Sequence, residues 1–401
     1  MNRILCFLAL NFLSFGLSAQ AIKSEPLSKE TEAQVQSIIL ANRLNKFIKS
    51  GNIEFGSFYI GNIFHFLSFN PIERTRLRLS GGMNLDNGLS ANALVAWGTK
   101  DKSLKYSFSA SYRFSAASNI QNTTTITHFD NTYLPYLASY DHILNSTGTD
   151  ADFFLLRRKM YGITNSTNVL FNSSTLRIDA NFSRNRIRKY LPEKEKEGVE
   201  PMKANFIYPS LQLTWSERTD NTEEQVIVSR YQRFDNFIAL SFGGEFFVWD
   251  DDVSNRSRIT LSGQKRIPFS DYRYGCLDLA LDVGHISKDV SRGGLFYPQS
   301  QIGYVSHSYA FLVIPYSHFA NTRFASAAIG LNSGGMMLNN IDFFRKFHGN
   351  EFLTFKSYLS DYEPYYEISF GVDNILDLLG FELAYSSLNK FGCFLRLRVS
   401  F

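Results

Sequence analysis

The chain has 401 residues and a net charge of +4; 44% of its residues are hydrophobic and 15% are aromatic. The small positive charge comes without a compact basic patch, so we expect no nucleic-acid partner. After the amino-terminal segment, no apolar run approaches the roughly 18 residues that a spanning helix needs, which excludes a multi-helix membrane protein.

Residues 1–20 have the pattern of a secretory signal peptide. Arg3 precedes an apolar run at positions 4–17, and the small-residue stretch 18–21 follows it. The run is too short to span a membrane, so we predict cleavage between Ala19 and Ala21 and export of the mature chain.

Residues 21–50 carry a helical pattern. Apolar side chains such as Val35, Ile38, Ile39 and Phe47 recur at helical spacing among polar residues, and a glycine then ends the pattern. We predict a short amphipathic periplasmic helix. It would pack under the rest of the protein, act as a plug, or dock a periplasmic protein partner.

From residue 51 onward the hydrophobic period changes to two. Apolar and aromatic residues from Leu104 to Phe114 alternate with Lys, Ser and Arg, and similar runs occur at 277–283 and 366–373. Each run approaches the roughly 9–11 residues of a tilted membrane strand. We therefore predict an all-β fold for residues 51–401, a transmembrane antiparallel β-barrel of about 14 strands with roughly 12–16 allowed.

Two polar stretches show no sustained period and are predicted to be loops. They are residues 116–148, rich in Asn, Thr and Ser, and the charged run 193–197. Because the outer loops of such barrels are long and their periplasmic turns are short, we place both stretches on the cell exterior.

Three arginines interrupt the outward face of a predicted strand. Arg184, Arg186 and Arg188 continue the parity of the apolar residues before them. Arginine at the middle of the bilayer costs roughly 2–4 kcal/mol, so the strand must have left the hydrocarbon there. These side chains would meet phosphates of outer-membrane lipid or lipopolysaccharide, an acid of an outer loop, or water.

The last eleven residues of the chain, 391–401, form one more alternating run. One parity is apolar and ends on Phe401, while the other includes Arg396 and Arg398. This run resembles the closing strand of a bacterial outer-membrane β-barrel. The resemblance implies localisation in the outer membrane and a role for Phe401 as the signal that the barrel-insertion machinery recognises.

Charged residues share the polar parity of several predicted strands, and we expect them to face the lumen. One interpretation is a salt-bridged network that blocks the lumen; the other is a charged pore wall that selects ions. The candidate residues are Arg74, Arg76, Arg78, Asp278, Asp282, Glu367, Asp373, Glu382, Arg396 and Arg398.

Three segments resemble the barrel portion of an uncharacterised outer-membrane family of Bacteroidetes. They are Asn-Pro-Ile-Glu at 70–73 with the basic run after it, Ala-Trp-Gly-Thr-Lys-Asp-Lys at 96–102, and residues 367–375. Longer members of that family carry an amino-terminal carboxypeptidase-regulatory-like β-sandwich, for which we find no segment in this sequence. The resemblance implies a location and a fold, and it implies no activity.

No motif for a metal, a cofactor or catalysis is present, so we expect a non-enzymatic protein. The seven histidines have no metal-binding spacing. The leading functional hypothesis is a surface or transport barrel for small polar solutes. The alternatives are an assembly or translocation barrel with periplasmic partners, and an outer-rim enzyme, lipase or omptin-like protease, that uses the acidic run 250–252.

Overall fold

The computed structural model describes most of the chain after residue 51. The described residues are 52–61, 65–70, 72–133, 155–190, 203–217, 236–247, 255–269, 275–287, 295–300, 309–315, 319–333, 335, 338–341, 349–361, 363–375 and 379–397. The predicted signal peptide and the predicted helix at 21–50 lie outside these ranges. So do the acidic run 250–252 and the charged run 193–197.

The described residues form one antiparallel sheet of 18 strands. The strands are β1 Ile53–Phe55, β2 Phe58–Ile60, β3 Leu67–Asn70, β4 Arg74–Asn84, β5 Leu89–Gly98, β6 Leu104–Ala117, β7 Ile120–Tyr133, β8 Leu155–Leu170, β9 Ser174–Tyr190, β10 Lys203–Glu217, β11 Phe237–Phe247, β12 Arg256–Pro268, β13 Cys276–Ile286, β14 Arg323–Asn332, β15 Asn350–Leu359, β16 Tyr365–Ile375, β17 Leu379–Ser386 and β18 Phe391–Leu397. A short 3-10 helix, Leu338–Asn340, lies between β14 and β15. Among the described residues no helix is long and apolar enough to cross a membrane.

The topology is a meander in which each strand from β4 to β18 pairs with the next. The first edge is irregular, because β2 and β3 pair with two different parts of β4, and β1 pairs with β2. Consecutive hairpins of this kind need only short turns, such as the one at 85–88, where Gly88 has a φ of 84°.

The two faces of the sheet differ in chemistry. Large apolar side chains are exposed on one face, which we call the outer face; examples are Leu79, Ile329 and Phe370. The opposite face, called the inner face below, carries buried charged residues, among them Arg76 and Glu367. Side chains alternate across a strand, so the sequence pattern of period two produces this division directly.

The structure corrects two predictions about the strands. Eighteen strands are described, above the predicted range, partly because β1 to β3 are pieces of three or four residues. The predicted loop at 116–148 begins inside β6, and β7 follows at Ile120–Tyr133. That strand was missed because Thr and Asn occupy both of its faces, so it lacks an apolar alternation.

The strands are longest in the middle of the chain. β8 and β9 have 16 and 17 residues, whereas β17 and β18 have 8 and 7. A tilted strand crosses the hydrocarbon of a bilayer in roughly 9–11 residues. β8 and β9 therefore extend well past any layer that the shorter strands can span.

Candidate functional site

A stretch of the connection between β13 and β14 lies against the inner face of the sheet. We call its described parts, residues 295–300, 309–315 and 319–322, the inserted segment. It folds back on itself, since Phe296 and Asn321 exchange backbone hydrogen bonds of 2.9 and 3.0 Å and the amide of Phe311 donates to the carbonyl of Gln299 at 2.8 Å. These bonds satisfy backbone groups that burial would otherwise leave without partners.

Three charged side chains of β15, β16 and β17 hold the middle of this segment, and we call them the clamp. They are Lys356, Glu367 and Glu382. The Nζ atom of Lys356 lies 3.1 Å from Oε1 of Glu367 and 3.7 Å from Oε1 of Glu382. It also donates a hydrogen bond of 2.7 Å to the carbonyl of Ala310 in the inserted segment.

The carboxylate of Glu367 binds the backbone of the inserted segment directly. The amide of Leu312 donates to both of its oxygens at 3.0 and 3.1 Å, and the amide of Val313 donates to Oε2 at 3.0 Å. The hydroxyl of Tyr365 adds a fourth bond at 3.0 Å. These directed hydrogen bonds make the clamp a specific binding site for one stretch of backbone.

Burial makes the clamp expensive to disturb. The side chains of Lys356, Glu367 and Glu382 are at most 1% exposed. Removing one member of a buried ion pair leaves an uncompensated charge and costs roughly 3–5 kcal/mol. Loss of any one of the three charges would therefore weaken the attachment of the inserted segment by a large amount.

Aromatic rings of the sheet and of the inserted segment form a core next to the clamp. Phe311 and Phe319 pack with their ring centroids 5.6 and 5.4 Å from that of Tyr365, and both pairs are edge-to-face. Tyr358 and Ile314 complete this buried cluster. Edge-to-face aromatic pairs contribute roughly 0.5–1.5 kcal/mol each beyond the area that they bury.

A second anchor holds the segment near β13. The guanidinium of Arg266 binds Asp278 in a bidentate manner at 2.6 and 2.7 Å, and the hydroxyl of Tyr309 donates to the same carboxylate at 2.6 Å. Burial raises the pKa of Tyr309, and the charge of Asp278 raises it further, so the phenol keeps its proton and remains a donor. Gly330 is needed here, because a Cβ atom at that position would lie 2.9 Å from the Tyr309 ring.

A separate cluster of charges lies at the start of β4. Oε1 and Oε2 of Glu73 each lie 3.1 Å from the Nη1 atom of Arg76, and Oε1 lies 2.5 Å from Nζ of Lys105. Asp101 lies 2.5 Å from the same Nζ atom, and Asn131 accepts from Nη2 of Arg76 at 2.7 Å. All three of the central side chains are fully buried, so this is a closed ion-pair network.

The predicted lumen residues divide into those that the structure buries and those that it does not. Arg76, Asp278, Glu367, Asp373 and Glu382 are buried, as the parity argument requires.

The other predicted lumen residues have different placements. Arg74 is exposed and begins β4 with a φ of 60°, opposite Asn70 in the register. Arg78 is half-buried and hydrogen-bonds His65 at 3.2 Å, and Asp282 lies opposite Ser262 in the register. The backbone of Arg396 pairs with Gly380, whereas Arg398 and Phe401 lie outside the described residues.

Sequence reasoning missed the cations that organise both clusters. Lys356 and Lys105 have inward parity, but nothing in the sequence indicates that they are buried, since a lysine on a polar face is usually solvated. Glu73 and Asp101 lie within the segments that carry the family resemblance, but nothing in their spacing indicates that both bind Lys105. The inserted segment has no hydrophobic period, so its burial was not foreseeable.

The described part of the chain contains no group of three or more His, Cys, Asp or Glu residues that could hold a metal ion. Cys276 and Cys393 are both free thiols.

Comparisons with known proteins give only a distant likeness of fold. No family model matches the chain, and no curated protein matches it. Among solved structures it is similar to BamA from Haemophilus ducreyi lacking POTRA domains 1–3, with 11% identity, a TM-score of 0.46, and coverage of 82% of this chain and 67% of that one.

Two further structures are still more distant. CdiB from Acinetobacter baumannii has 7% identity and a TM-score of 0.42 over 80% of this chain, which spans 56% of that chain. OccK11 (OpdR) from Pseudomonas aeruginosa has 8% identity and a TM-score of 0.32, with coverage of 80% and 86%. Likeness at this level transfers no activity to the present chain.

Proposed function

We propose that this chain is an outer-membrane β-barrel whose lumen is closed at rest by the inserted segment and opens to pass small polar solutes. The apolar outer face, the buried charges of the inner face and the predicted signal peptide support the membrane location. The short turns at 85–88, 118–119 and 171–173 would then face the periplasm, and the connection between β13 and β14 would enter from outside.

The observation that carries the proposal is the pairing of Glu367 with the amides of Leu312 and Val313. A carboxylate that binds a connecting segment across the inner face acts as a latch, since its release removes the two amide bonds and the lysine contact that hold the middle of the segment. An open pore would instead leave its inward charges to water and ions.

Conductance in planar bilayers tests the latch. The wild-type protein should be closed most of the time, and Glu367→Gln should increase the open fraction because it removes the charge that Lys356 and the amides share. Asp361→Asn is a matched control: it removes the acid of an exposed pair, whose carboxylate lies 2.8 Å from Arg323 and is 47% exposed. Equal, large conductance steps in the wild type and in Glu367→Gln would contradict the latch.

An assembly or translocation barrel is the second candidate, because a lumen closed by its own segment also suits a protein that does not conduct. Bilayers that stay silent for both the wild type and Glu367→Gln would favour it. Loss of a co-purified periplasmic protein on deletion of residues 28–48 would then identify the partner.

Membership of the Bacteroidetes family and the absence of enzymatic activity remain predictions. Recovery of the protein without detergent would contradict the membrane location.

A further inference from the structure

The outer face of β8 and β9 carries a cluster of cations at the end away from the short turns. The register places Lys159 directly opposite Arg186, and Tyr161 opposite Arg184. Opposite side chains on one face have Cβ atoms roughly 4.5–5.5 Å apart, so these three cations form one compact group. Arg184 and Arg186 are exposed, and Lys159 is half-buried.

Below the cations the same face becomes aromatic and then apolar. The Lys159 ammonium lies over the ring of Tyr161 at 5.6 Å, and that ring stacks on His128 with centroids 4.0 Å apart. Next along the strands come Ile163 and Phe182, which are 46% and 55% exposed. Aromatic residues mark the level of the headgroups in membrane proteins, so the cations stand at or just above that level.

The distances along β9 agree with this placement. At about 3.4 Å per residue, Arg184 lies about 7 Å and Arg186 about 14 Å beyond Phe182. If Phe182 marks the edge of the hydrocarbon, both arginines lie in the headgroup layer or beyond it. Because β9 has 17 residues, it reaches this layer while still paired in the sheet, and the cations sit on a rigid support.

The composition of the cluster favours an anion as its occupant. Like charges directly opposite each other on a sheet are destabilising, and here a lysine faces an arginine. On its other side Lys159 lies opposite Asp130 of β7, whose carboxylate also binds Arg157 at 2.5 Å, so on this face the cations Arg157, Lys159, Arg184 and Arg186 adjoin one described acid. Arginine and lysine side chains spaced in this way bind phosphate oxygens well.

We propose that Lys159, Arg184 and Arg186 form a binding site for the phosphate groups of a lipid in the outer leaflet. The proposal rests on the membrane location proposed above, and it adds a ligand at a surface remote from the clamp. Each cation near an anionic surface strengthens binding roughly fivefold, so losing two should weaken it roughly 25-fold.

The test uses the purified full-length protein in detergent, titrated with lipid A that carries two phosphates, with its dephosphorylated form, and with inorganic phosphate. Native mass spectrometry counts the bound lipid. The variant is Lys159→Gln/Arg186→Gln, and the control is Arg323→Gln, which removes an outward arginine at the same end whose charge is already paired with Asp361. Far-ultraviolet circular dichroism checks that each variant is folded.

The expected result is saturable binding of phosphorylated lipid A by the wild type and the control, with the roughly 25-fold loss confined to the double variant. Equal binding by the double variant, or equal binding of dephosphorylated lipid A, would overturn the proposal. Inorganic phosphate bound as tightly as the lipid would also overturn it. Lipid binding that appears only when the glutamates at 193, 195 and 197 are replaced by Gln would overturn it too, because those acids would then occupy the cluster in the wild type. Conductance is measured in a separate experiment, so the lipid site and the proposed pore can each be contradicted without the other.

Discussion

Replacing Lys356 by Met should destabilise the protein strongly while nearly keeping the shape of the side chain. The ammonium has three partners in the structure: the Ala310 carbonyl at 2.7 Å, Glu367 at 3.1 Å and Glu382 at 3.7 Å. Without it, the two buried carboxylates lose the counter-ion that they share. The expected loss is about 3–5 kcal/mol of unfolding free energy, a decrease of a hundredfold or more in the folded-to-unfolded ratio.

Urea unfolding in lipid vesicles, followed by tryptophan fluorescence, measures this loss. Lys265→Met is the matched control, because Lys265 forms an ion pair with Glu217 in which both side chains are 49% exposed. Such exposed pairs contribute only about 0–1 kcal/mol. If Lys356→Met and Lys265→Met lose the same amount, the clamp does not hold the inserted segment. A further substitution, Glu367→Gln, should restore part of the stability in the Lys356→Met background and none in the Lys265→Met background.

Three other changes test separate parts of the molecule. Glu73→Gln should cost about 3–5 kcal/mol in the same unfolding assay, because it leaves Arg76 and Lys105 buried without their shared carboxylate; a loss below about 1 kcal/mol would contradict the network. Tyr309→Phe removes one donor to a buried aspartate, so it should cost about 1–3 kcal/mol and raise the open fraction in bilayers; unchanged gating would show that the second anchor is dispensable. Phe370→Arg places a charge on the outer face and should cost about 2–4 kcal/mol in vesicles; a negligible cost would indicate that this face meets water.

Strands with a regular alternation were predictable from the sequence. The run 104–114 lies within β6, 277–283 within β13, and 366–373 within β16. The turn at 86–88 carries an Asp-Asn-Gly sequence, which is typical of tight turns. These elements depend on local properties, namely side-chain period and turn chemistry, so a single sequence contains them.

The arrangement of charges was predictable only by face. Parity predicts a common face for Arg76, Asp278 and Glu367, which are buried, but which charge meets which depends on register and on contacts between distant strands. The partners of Arg76 include Glu73, Thr132 and Asn131, and its parity alone does not indicate any of them.

The inserted segment has a consequence for the order of assembly. Its apolar residues Phe311 and Phe319 come earlier in the chain than Tyr358 and Tyr365, against which they pack. The segment also comes earlier than Lys356 and Glu367, which bind its backbone. During synthesis from the amino terminus, the segment is therefore made before the strands to which it binds. The segment can dock only after β15 and β16 have formed. Its apolar side chains remain exposed until then.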